Sequence, residues 1–376
     1  MASSGIRSDS DTIQVQYRIQ ADNVPDAERI ARDICIEQSV EMPPDVVPSH
    51  VKSSIANLQA LKQEDDAQYW IATVDYPLLL IGRDPAQFLN VLFGNISLKP
   101  GISIWDIEKE KLAGILPGPA FGIEGIRKIT GVTDRALSCT ALKPVGLSPS
   151  ELASRAEKFA AGGIDLIKDD HGLADQKSAP FTDRVKACVQ SIEKGMQLSG
   201  KKTLYFPNIT TSPHRVMDRY HEALDIGADG VLVSAQLCGP AILSELSRRA
   251  EIPVMAHPSF SGTIVLHGSQ GIPAQLYYGT LWRALGADCV IYPNAKGRFS
   301  FTLSKCRQIN EACREDVADI KTCFPVPGGG IDRNSVTNWN REYGNDTIFL
   351  IGGSLYQHPD GLQKAAAEFQ QKLEES

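Results

Sequence analysis

Short apolar runs alternate with longer amphipathic stretches from residue 137 to the end of the chain. The runs are typical of buried strands, and the stretches, in which apolar residues recur every three or four positions, are typical of helices packed on a sheet. Eight strands are predicted, at 137–142, 164–167, 203–206, 230–233, 253–256, 288–292, 322–326 and 347–351. A helix is predicted after each of them, at 148–161, 182–198, 213–226, 241–250, 273–285, 300–313, after Asp332 and at 360–373.

This rhythm predicts a closed barrel. Eight strand and helix pairs in about 240 residues are the number and size of a (β/α)₈ barrel. The alternative is an open, doubly wound sheet, which favours a Gly-x-Gly-x-x-Gly turn after the first strand. The sequence after residue 142 has no such turn.

The first third of the chain has a different pattern, with strands that alternate apolar and polar residues. The predicted elements are a strand at 12–19, a helix from Pro25 through Ile34, a loop at 36–44, strands at 68–75 and 78–82, a helix at 85–93 and a strand at 102–107. We therefore predict two domains. An N-terminal α+β domain of ferredoxin-like type spans 1–115, and a C-terminal barrel that carries the active site spans 116–376.

Composition and charge limit the possible partners. The chain has a formal net charge of −7, 42% hydrophobic residues and no dense basic run, so nucleic acid is not expected as a partner. No stretch approaches the roughly 20 apolar residues of a membrane helix. The polar start at 1–11 lacks the apolar segment of a signal peptide.

The cysteines also bear on the compartment. The eight cysteines are scattered without a Cys-x-x-Cys pair, at positions 35, 139, 188, 238, 289, 306, 313 and 323. Reduced thiols in a cytoplasmic protein are therefore expected.

A cluster of charge follows the second predicted barrel strand. The apolar run at 164–167 leads directly into Lys168, Asp169, Asp170 and His171. Burying a lysine and two carboxylates costs free energy unless they are paired, hydrogen-bonded or bound to a metal. A functional site is predicted here.

Polar side chains end several other strands. Lys143 ends the first strand, Asn208 the third and His257 the fifth, and Lys296 follows the sixth. In a barrel the active site is assembled at the carboxyl ends of the strands, so we expect these side chains to converge. Taken singly, either lysine fits an exposed position and His257 fits a hydrogen-bonded core histidine.

Two glycine-rich turns follow the last two strands. They are Gly328, Gly329 and Gly330 after the seventh strand, and Gly352, Gly353 and Ser354 after the eighth. Such turns before helices expose backbone N–H groups that hold a phosphate. Glycine turns are common elsewhere, but this pair occurs where barrels place their phosphate site.

The charged cluster resembles a motif of the RuBisCO large subunit and of RuBisCO-like proteins. Residues 162–171 match the family stretch Gly-Gly-x-Asp-x-x-Lys-Asp-Asp-Glu, and the resemblance covers nearly the whole chain. It implies that Lys168 is carbamylated by CO₂ and binds Mg²⁺ with Asp170 and the residue at position 171. This residue is His171 where the family has Glu, and Mg²⁺ prefers oxygen ligands. The metal is then weaker or different, or His171 is an acid/base group.

Other matches show which family functions are retained. Lys143 stands where the family has the lysine that transfers a proton at the enolisable carbon, but a second lysine is replaced by Val145. His257 matches a histidine that precedes an arginine for a second phosphate, and Pro258 replaces that arginine. Gly328 replaces a serine that contacts substrate. The losses affect the second phosphate and the handling of CO₂ as a substrate.

The resemblance also implies residues from a neighbouring subunit. Asn95 and Glu37 match two residues of the small domain that reach the partner's site, which implies a homodimer with shared active sites. Lys296 corresponds weakly to a lysine of a mobile loop.

The resulting expectation is a RuBisCO-like enzyme without ribulose-bisphosphate carboxylase activity. It would act through a metal-stabilised enediolate on a phosphorylated oxo-sugar acid or ketose, as a decarboxylase or an enolase. Two alternatives remain: a metal-independent hydrolase of a C–C bond that uses His171 and His257, and a non-catalytic sugar-phosphate-binding protein.

Overall fold

A computed structural model describes residues 12–66, 68–299 and 301–376. The predicted polar start at 1–11 lies outside the described residues, as does Ser300, the first residue of the sixth predicted barrel helix.

The chain divides into two compact units. One contains the described residues up to Leu116 together with Ser261–Tyr277, and the other contains Pro117–Phe260 together with Tyr278–Ser376. The first division lies next to the predicted boundary at residue 115. Ser261–Tyr277 lies within the range 116–376 that was predicted as barrel, but it belongs to the first unit.

The first unit contains a four-stranded antiparallel sheet of order β2-β3-β1-β4, which is the strand order of a ferredoxin-like fold. Its strands are β1 (Thr12–Gln20), β2 (Asn57–Gln63), β3 (Tyr69–Pro77) and β4 (Ile102–Ile107). Two helices, α1 (Val24–Glu37) and α2 (Pro85–Phe93), connect them. Every second residue of β1 from Ile13 to Ile19 is buried, which gives the sheet one apolar face.

Two local predictions for this unit differ from the structure. The predicted strand at 78–82 is wrong, because Leu78–Leu80 form a 3₁₀ helix directly after Pro77 ends β3. Strand β2 was not predicted. Its apolar residues Leu58, Ala60 and Leu61 are only partly buried, and a register shift between Leu58 and Ala60 interrupts their alternation.

The second unit contains eight parallel strands in the order β7-β6-β5-β12-β11-β10-β9-β8. They are β5 (Leu137–Leu142), β6 (Leu166–Asp169), β7 (Leu204–Phe206), β8 (Val231–Val233), β9 (Val254–Ala256), β10 (Cys289–Pro293), β11 (Phe324–Gly328) and β12 (Ile348–Ile351). A parallel bridge between Asn208 and Leu232 joins the two outer strands. The predicted (β/α)₈ barrel is therefore confirmed.

The remaining α-helices cover the barrel, except α9, which belongs to the first unit. They are α3 (Gly122–Thr130), α4 (Pro149–Ala161), α5 (Phe181–Ser199), α6 (Val216–Ile226), α7 (Ala235–Cys238), α8 (Ile242–Arg249), α9 (Gly262–Val265), α10 (Arg283–Leu285), α11 (Leu303–Arg314), α12 (Val336–Tyr343), α13 (Gly353–Tyr356) and α14 (Leu362–Glu374). Where the sequence predicts a helix at 273–285, the structure has a π-helix at Gln275–Trp282 followed by α10.

The barrel core joins the strands to α3. Ile123 and Ile126 of α3 share one buried apolar cluster with strand residues that include Leu166, Met255 and Val326. All eight cysteines lie in the described part of the chain and are free and buried. Among the residues described, no helix is both long and apolar enough to cross a membrane.

Candidate active site

The structure places five of the predicted site residues at the carboxyl ends of barrel strands. Lys143 directly follows β5, Lys168 lies near the end of β6, Asp170 and His171 follow β6, and His257 follows β9. Parallel strands of a closed sheet end at the same face, so these side chains converge on one mouth of the barrel.

A buried ion pair holds the end of β6 in place. Asp169 and Arg184 of α5 are fully buried, and Arg184 Nε lies 3.1 Å from Asp169 Oδ2. Asp169 also accepts hydrogen bonds from Tyr205 Oη at 2.8 Å and from the backbone N–H of Asn208 at 3.0 Å. Asp169 is therefore held by contacts within the barrel wall, whereas the side chain of its neighbour Asp170 is partly exposed at the mouth.

Lys168 is almost completely buried, with 2% of its surface exposed. Its Nζ donates to the backbone oxygen of Asp169 at 3.0 Å. Burial lowers the pKa of the Lys168 ammonium below its ordinary value, because a desolvated ammonium is unfavourable. The neutral amine, which reacts with CO₂ and accepts protons, is thus more accessible here than in an ordinary lysine.

Asp170 is the centre of the cluster. Its Oδ1 lies 3.2 Å from Lys143 Nζ and 3.3 Å from His171 Nδ1. Burial alone would raise the pKa of the Asp170 carboxyl, but the hydrogen bond of His171 and the positive charges of Lys168 and Lys143 lower it below its ordinary value. Asp170 is therefore ionised and links Lys143 to the imidazole of His171.

The two predicted histidines form a stacked pair across the mouth. The rings of His171 and His257 are 4.6 Å apart between centroids, with 13° between their planes. Their strands, β6 and β9, are three positions apart in the closed sheet. The sequence therefore predicted correctly that these side chains come together.

The surroundings of His257 fix its protonation state. The backbone N–H of Ser259 donates to His257 Nδ1 at 3.2 Å, and Ser259 Oγ lies 2.8 Å from the same atom. An Nδ1 that accepts an amide N–H leaves the proton on Nε2. Burial, together with the positive charge of Lys168, lowers the pKa of His257 well below its ordinary value. His257 is thus a neutral imidazole with Nε2–H as its donor.

The side chain of Asn208 contacts the site through the backbone of the loop that follows β6. Its Nδ2 donates to the backbone oxygens of His171 at 3.0 Å and Leu173 at 2.8 Å, and its Oδ1 accepts from Thr210. Asn208 therefore orients the loop that carries His171.

The two glycine turns meet at the neighbouring strands β11 and β12. Gly328 pairs with Leu350 in the sheet, and Ser354 Oγ donates to the backbone oxygen of Ile331 at 3.3 Å. Gly329 and Gly330 have positive φ angles of 101° and 67°. A Cβ at Gly352 or Gly353 would have no atom within 4 Å, so open space adjoins the second turn.

Lys296 lies beside the first turn. Its Nζ is 5.9 Å from the centroid of the Trp339 ring, a cation–π distance. A Cβ at Gly330 would lie 2.9 Å from the backbone oxygen of Lys296, which explains why glycine is needed there. None of the contacts described for Lys296 reaches Lys143, Asp170 or the histidines.

Asn95 and Glu37 belong to the first unit and contact each other. Asn95 Nδ2 donates to Glu37 Oε1 at 3.0 Å and to Glu41 Oε1 at 3.1 Å. Gln38 holds the same loop, because its Oε1 accepts from the backbone N–H of Ile96 at 3.1 Å. The two residues implied by the resemblance thus form one exposed polar patch with Glu41.

Three site residues were not found from the sequence. Ser259 binds the ring of His257, while Arg155 and Tyr356 bind the backbone of Lys143. Ser259 carries a weak signal, because serine two residues after a strand-end histidine favours a turn. Arg155 and Tyr356 act on backbone atoms of a distant residue and leave no pattern in the sequence.

The predicted metal ligands can be judged by their donor atoms. Among the described residues, no group of three or more His, Cys, Asp or Glu side chains could hold a metal ion. Asp170 supplies one carboxylate and His171 one imidazole, and Lys168 would add an oxygen donor only if it were carbamylated by CO₂. With that carbamate the set has two oxygen-bearing groups and one nitrogen, which fits a divalent ion.

Comparison with known proteins identifies the class to which this barrel and its lysine- and histidine-lined mouth belong. Residues 122–376 match the family model of the ribulose bisphosphate carboxylase large chain, catalytic domain. The chain therefore belongs to the RuBisCO large-chain family.

Particular relatives lie among the RuBisCO-like proteins. The chain is 37% identical over 368 residues to ribulose bisphosphate carboxylase-like protein 1 of Rhodopseudomonas palustris, which covers 96% of this chain and 97% of that one. It is 34% identical over 367 residues to 5-methylthioribulose-1-phosphate isomerase of Rhodospirillum rubrum, with 96% of each covered. A crystal structure of a Rubisco-like protein from Rhodopseudomonas palustris superposes with a TM-score of 0.85 at 34% identity and covers 97% of this chain and 98% of that one.

Proposed function

We propose that this protein is an enzyme that forms an enediolate on a phosphorylated ketose or oxo-sugar acid. The observation that carries the proposal is the connected cluster at the barrel mouth, in which Asp170 joins Lys143 at 3.2 Å to His171 at 3.3 Å. Enolisation needs a base near a carbon-bound proton and donors near the carbonyl oxygen. The cluster supplies both kinds of group.

The residues have complementary roles in this proposal. Lys143, with about a third of its side chain exposed, or the modified Lys168 moves the proton at carbon. As the C–H bond breaks, its electron pair becomes the new C=C bond and negative charge moves to the carbonyl oxygen. Neutral His257 donates from Nε2 to that oxygen, and His171 is placed to move a second proton. In a decarboxylation, loss of CO₂ generates the same enolate.

The glycine turns are proposed to bind a single phosphate. The first N–H groups of a helix have no acceptor inside the helix, so those near Gly353 and Ser354 are available to an anion. The space beside Gly352 and Gly353 is open. Pro258 stands where an arginine would hold a second phosphate, so a monophosphate is the better fit.

A divalent ion, Mg²⁺ or one that accepts nitrogen more readily, is proposed to bind the carbamate of Lys168, Asp170 and His171. Such an ion would supply Lewis-acid stabilisation of the enolate oxygen. The lowered pKa of Lys168 favours the carbamate, because only the neutral amine combines with CO₂.

The relatives support a sugar-phosphate substrate. The isomerase of Rhodospirillum rubrum is named for a ketose monophosphate, and its match extends over 96% of this chain. Interconversion of a ketose and its isomer passes through the same type of intermediate. We assign this chain the same class of substrate, without the particular sugar.

A homodimer with shared sites is part of the proposal, with Asn95 and Glu37 completing the partner's site. Their mutual hydrogen bond of 3.0 Å gives both side chains a defined position. In a mixture of Asn95→Ala and Lys168→Ala chains, heterodimers should regain activity at one of their two sites, and a mixture without activity would contradict the shared site.

The test is exchange of carbon-bound protons into D₂O, followed by NMR. Oxo-sugar-acid phosphates and methylthio-ketose phosphates are incubated with the protein and Mg²⁺ plus bicarbonate, or with EDTA. We expect exchange or decarboxylation that requires metal and disappears in Lys168→Ala. Lys194→Ala, which changes an exposed lysine of α5, is the matched control and should react like the unmodified protein. Undiminished turnover by Lys168→Ala would contradict the proposal.

The pairing of Asp170 with His171 favours one alternative, hydrolytic cleavage of a C–C bond without metal. A carboxylate at imidazole Nδ1 leaves Nε2 to activate water. Turnover that survives EDTA and fails in His171→Ala would establish this alternative. Phosphate binding without any turnover or exchange would instead indicate a non-catalytic sugar-phosphate-binding protein.

A further inference from the structure

The backbone of Lys143 is held by two side chains from helices outside the strand. Its N–H donates to Tyr356 Oη at 3.0 Å, and its carbonyl oxygen accepts from Arg155 Nη1 at 2.6 Å. Tyr356 Oη in turn donates to the backbone oxygen of Ala141 at 2.8 Å. The strand end that carries Lys143 is therefore fixed from both sides.

The two holding side chains also support each other. The guanidinium carbon of Arg155 lies 5.3 Å from the centroid of the Tyr356 ring, and Phe159 packs edge-on against that ring at 5.6 Å. Burial raises the pKa of Tyr356 to about 12, so its hydroxyl keeps its proton at neutral pH. The hydroxyl can then accept from Lys143 and donate to Ala141 at the same time.

We propose that Tyr356 and Arg155 are positioning residues that set the place of the Lys143 ammonium relative to the glycine turn at Gly352–Ser354. Tyr356 is the last residue of α13, and α13 begins at Gly353 in that turn. A phosphate bound at the turn and the lysine that moves the proton are thus linked through one short helix. This inference rests on the proposed function, in which Lys143 acts at carbon and the turn binds phosphate.

Positioning of this kind affects the chemical step more than binding. A displacement of about 1 Å of a reacting group can cost on the order of a hundredfold in rate. Loss of the Tyr356 hydroxyl leaves the Lys143 N–H without its hydrogen-bond partner and loosens the strand end. The backbone conformation of the glycine turn at Gly352–Ser354 is not altered by this substitution. We therefore expect kcat to fall and KM to change little.

The first test is the variant Tyr356→Phe, which removes the hydroxyl and keeps the ring between Arg155 and Phe159. We expect kcat to fall about tenfold, equivalent to about 1.4 kcal/mol, with KM within about twofold of the original. The control is Tyr220→Phe on α6. It removes another buried hydroxyl that accepts a hydrogen bond from a backbone N–H, in this case that of Ile252. This control should keep its kcat. An unchanged kcat in Tyr356→Phe would overturn the proposal.

Two further variants distinguish a positioning role from a general loss of folding. Arg155→Gln removes the guanidinium that donates to the carbonyl oxygen of Lys143, and it should also lower kcat with little change in KM. In a Lys143→Ala background, Tyr356→Phe should have no further effect on residual turnover, because it acts only through Lys143. An equal effect in both backgrounds would show a merely structural role.

A spectroscopic measurement separates failure of this inference from failure of the proposed function. Lysines are methylated with ¹³C, and the Lys143 signal is assigned by its absence in Lys143→Ala. Tyr356→Phe should shift or broaden that signal and leave the signal of exposed Lys194 unchanged, with no substrate present. An unmoved Lys143 signal would refute the positioning role. Absence of proton exchange by the unmodified protein, with the signal shift observed, would refute the proposed function alone.

Discussion

The ion pair between Asp169 and Arg184 gives the sharpest stability prediction. Both side chains are completely buried and lie 3.1 Å apart. Arg184 also donates to the backbone oxygens of Ala179 and Ala174, each at 2.8 Å, so its guanidinium joins α5, the loop before it and the end of β6. The substitution Asp169→Asn keeps the shape of the side chain and removes its charge.

The size of the effect follows from burial. Removing one partner of a buried ion pair leaves an uncompensated charge and costs about 3–5 kcal/mol. This is a large part of the 5–15 kcal/mol that is typical of a folded domain. The double variant Asp169→Asn with Arg184→Met should lose less than the sum of the two single variants, because no unpaired charge remains buried.

The assay is unfolding of the protein in urea, monitored by tryptophan fluorescence and by circular dichroism. Both signals must give the same transition midpoint for the barrel. Glu245→Gln is the matched control, because it breaks an exposed ion pair. Glu245 Oε1 lies 2.8 Å from Arg249 Nη2, and the side chains of Arg249 and Glu245 are 45% and 43% exposed. Such a pair contributes at most about 1 kcal/mol. A loss below about 1 kcal/mol in Asp169→Asn, or simple additivity in the double variant, would refute the reasoning.

Two further predictions concern the two glycine turns and the opposite end of the barrel. Gly330→Ala places a Cβ 2.9 Å from the backbone oxygen of Lys296 at a φ of 67°, so this variant should be destabilised. Gly353→Ala, at the first residue of α13, meets no atom within 4 Å, so it should keep its melting temperature but raise KM if phosphate fills that space. An unchanged KM in Gly353→Ala would remove the phosphate from the second turn. Burial raises the pKa of the Asp288 carboxyl to about 6, whereas in the unfolded state this carboxyl loses its proton near pH 4. The resulting contribution to stability is present below pH 4 and is lost as the pH rises to about 6. Asp288→Asn should abolish a decrease of about 3 kcal/mol between pH 4 and 7, and an identical pH slope in both proteins would contradict this assignment.

The barrel could be predicted because its strands are buried on both faces. Strands such as β8 have every residue buried and appear as continuous apolar runs, and parallel strands separated by helices follow from that rhythm. The first unit was harder. The apolar residues of β2 are few and only partly buried, so its alternation is weak, and the leucines at 78–80 are an apolar run without being a strand.

The same distinction applies to the site. Charged residues directly after apolar strands were visible in the sequence, because a soluble barrel rarely buries them without a reason. Their partners were not visible. Tyr356 is 213 positions from Lys143 and contacts its backbone N–H, which every residue but proline provides. Only the closed sheet, in which β12 lies next to β5, brings the two together.

The charge of the mouth depends on Lys168. Asp169 is neutralised by Arg184, His257 is neutral, and Asp170 balances Lys143. With Lys168 unmodified, the mouth has no third donor group for a metal. In the proposed function, a carbamate on Lys168 would add negative charge on its oxygens, and a divalent ion would then balance that charge and stabilise the enediolate. The replacement of a carboxylate by His171 strengthens this dependence, because the imidazole supplies a donor atom without a compensating charge.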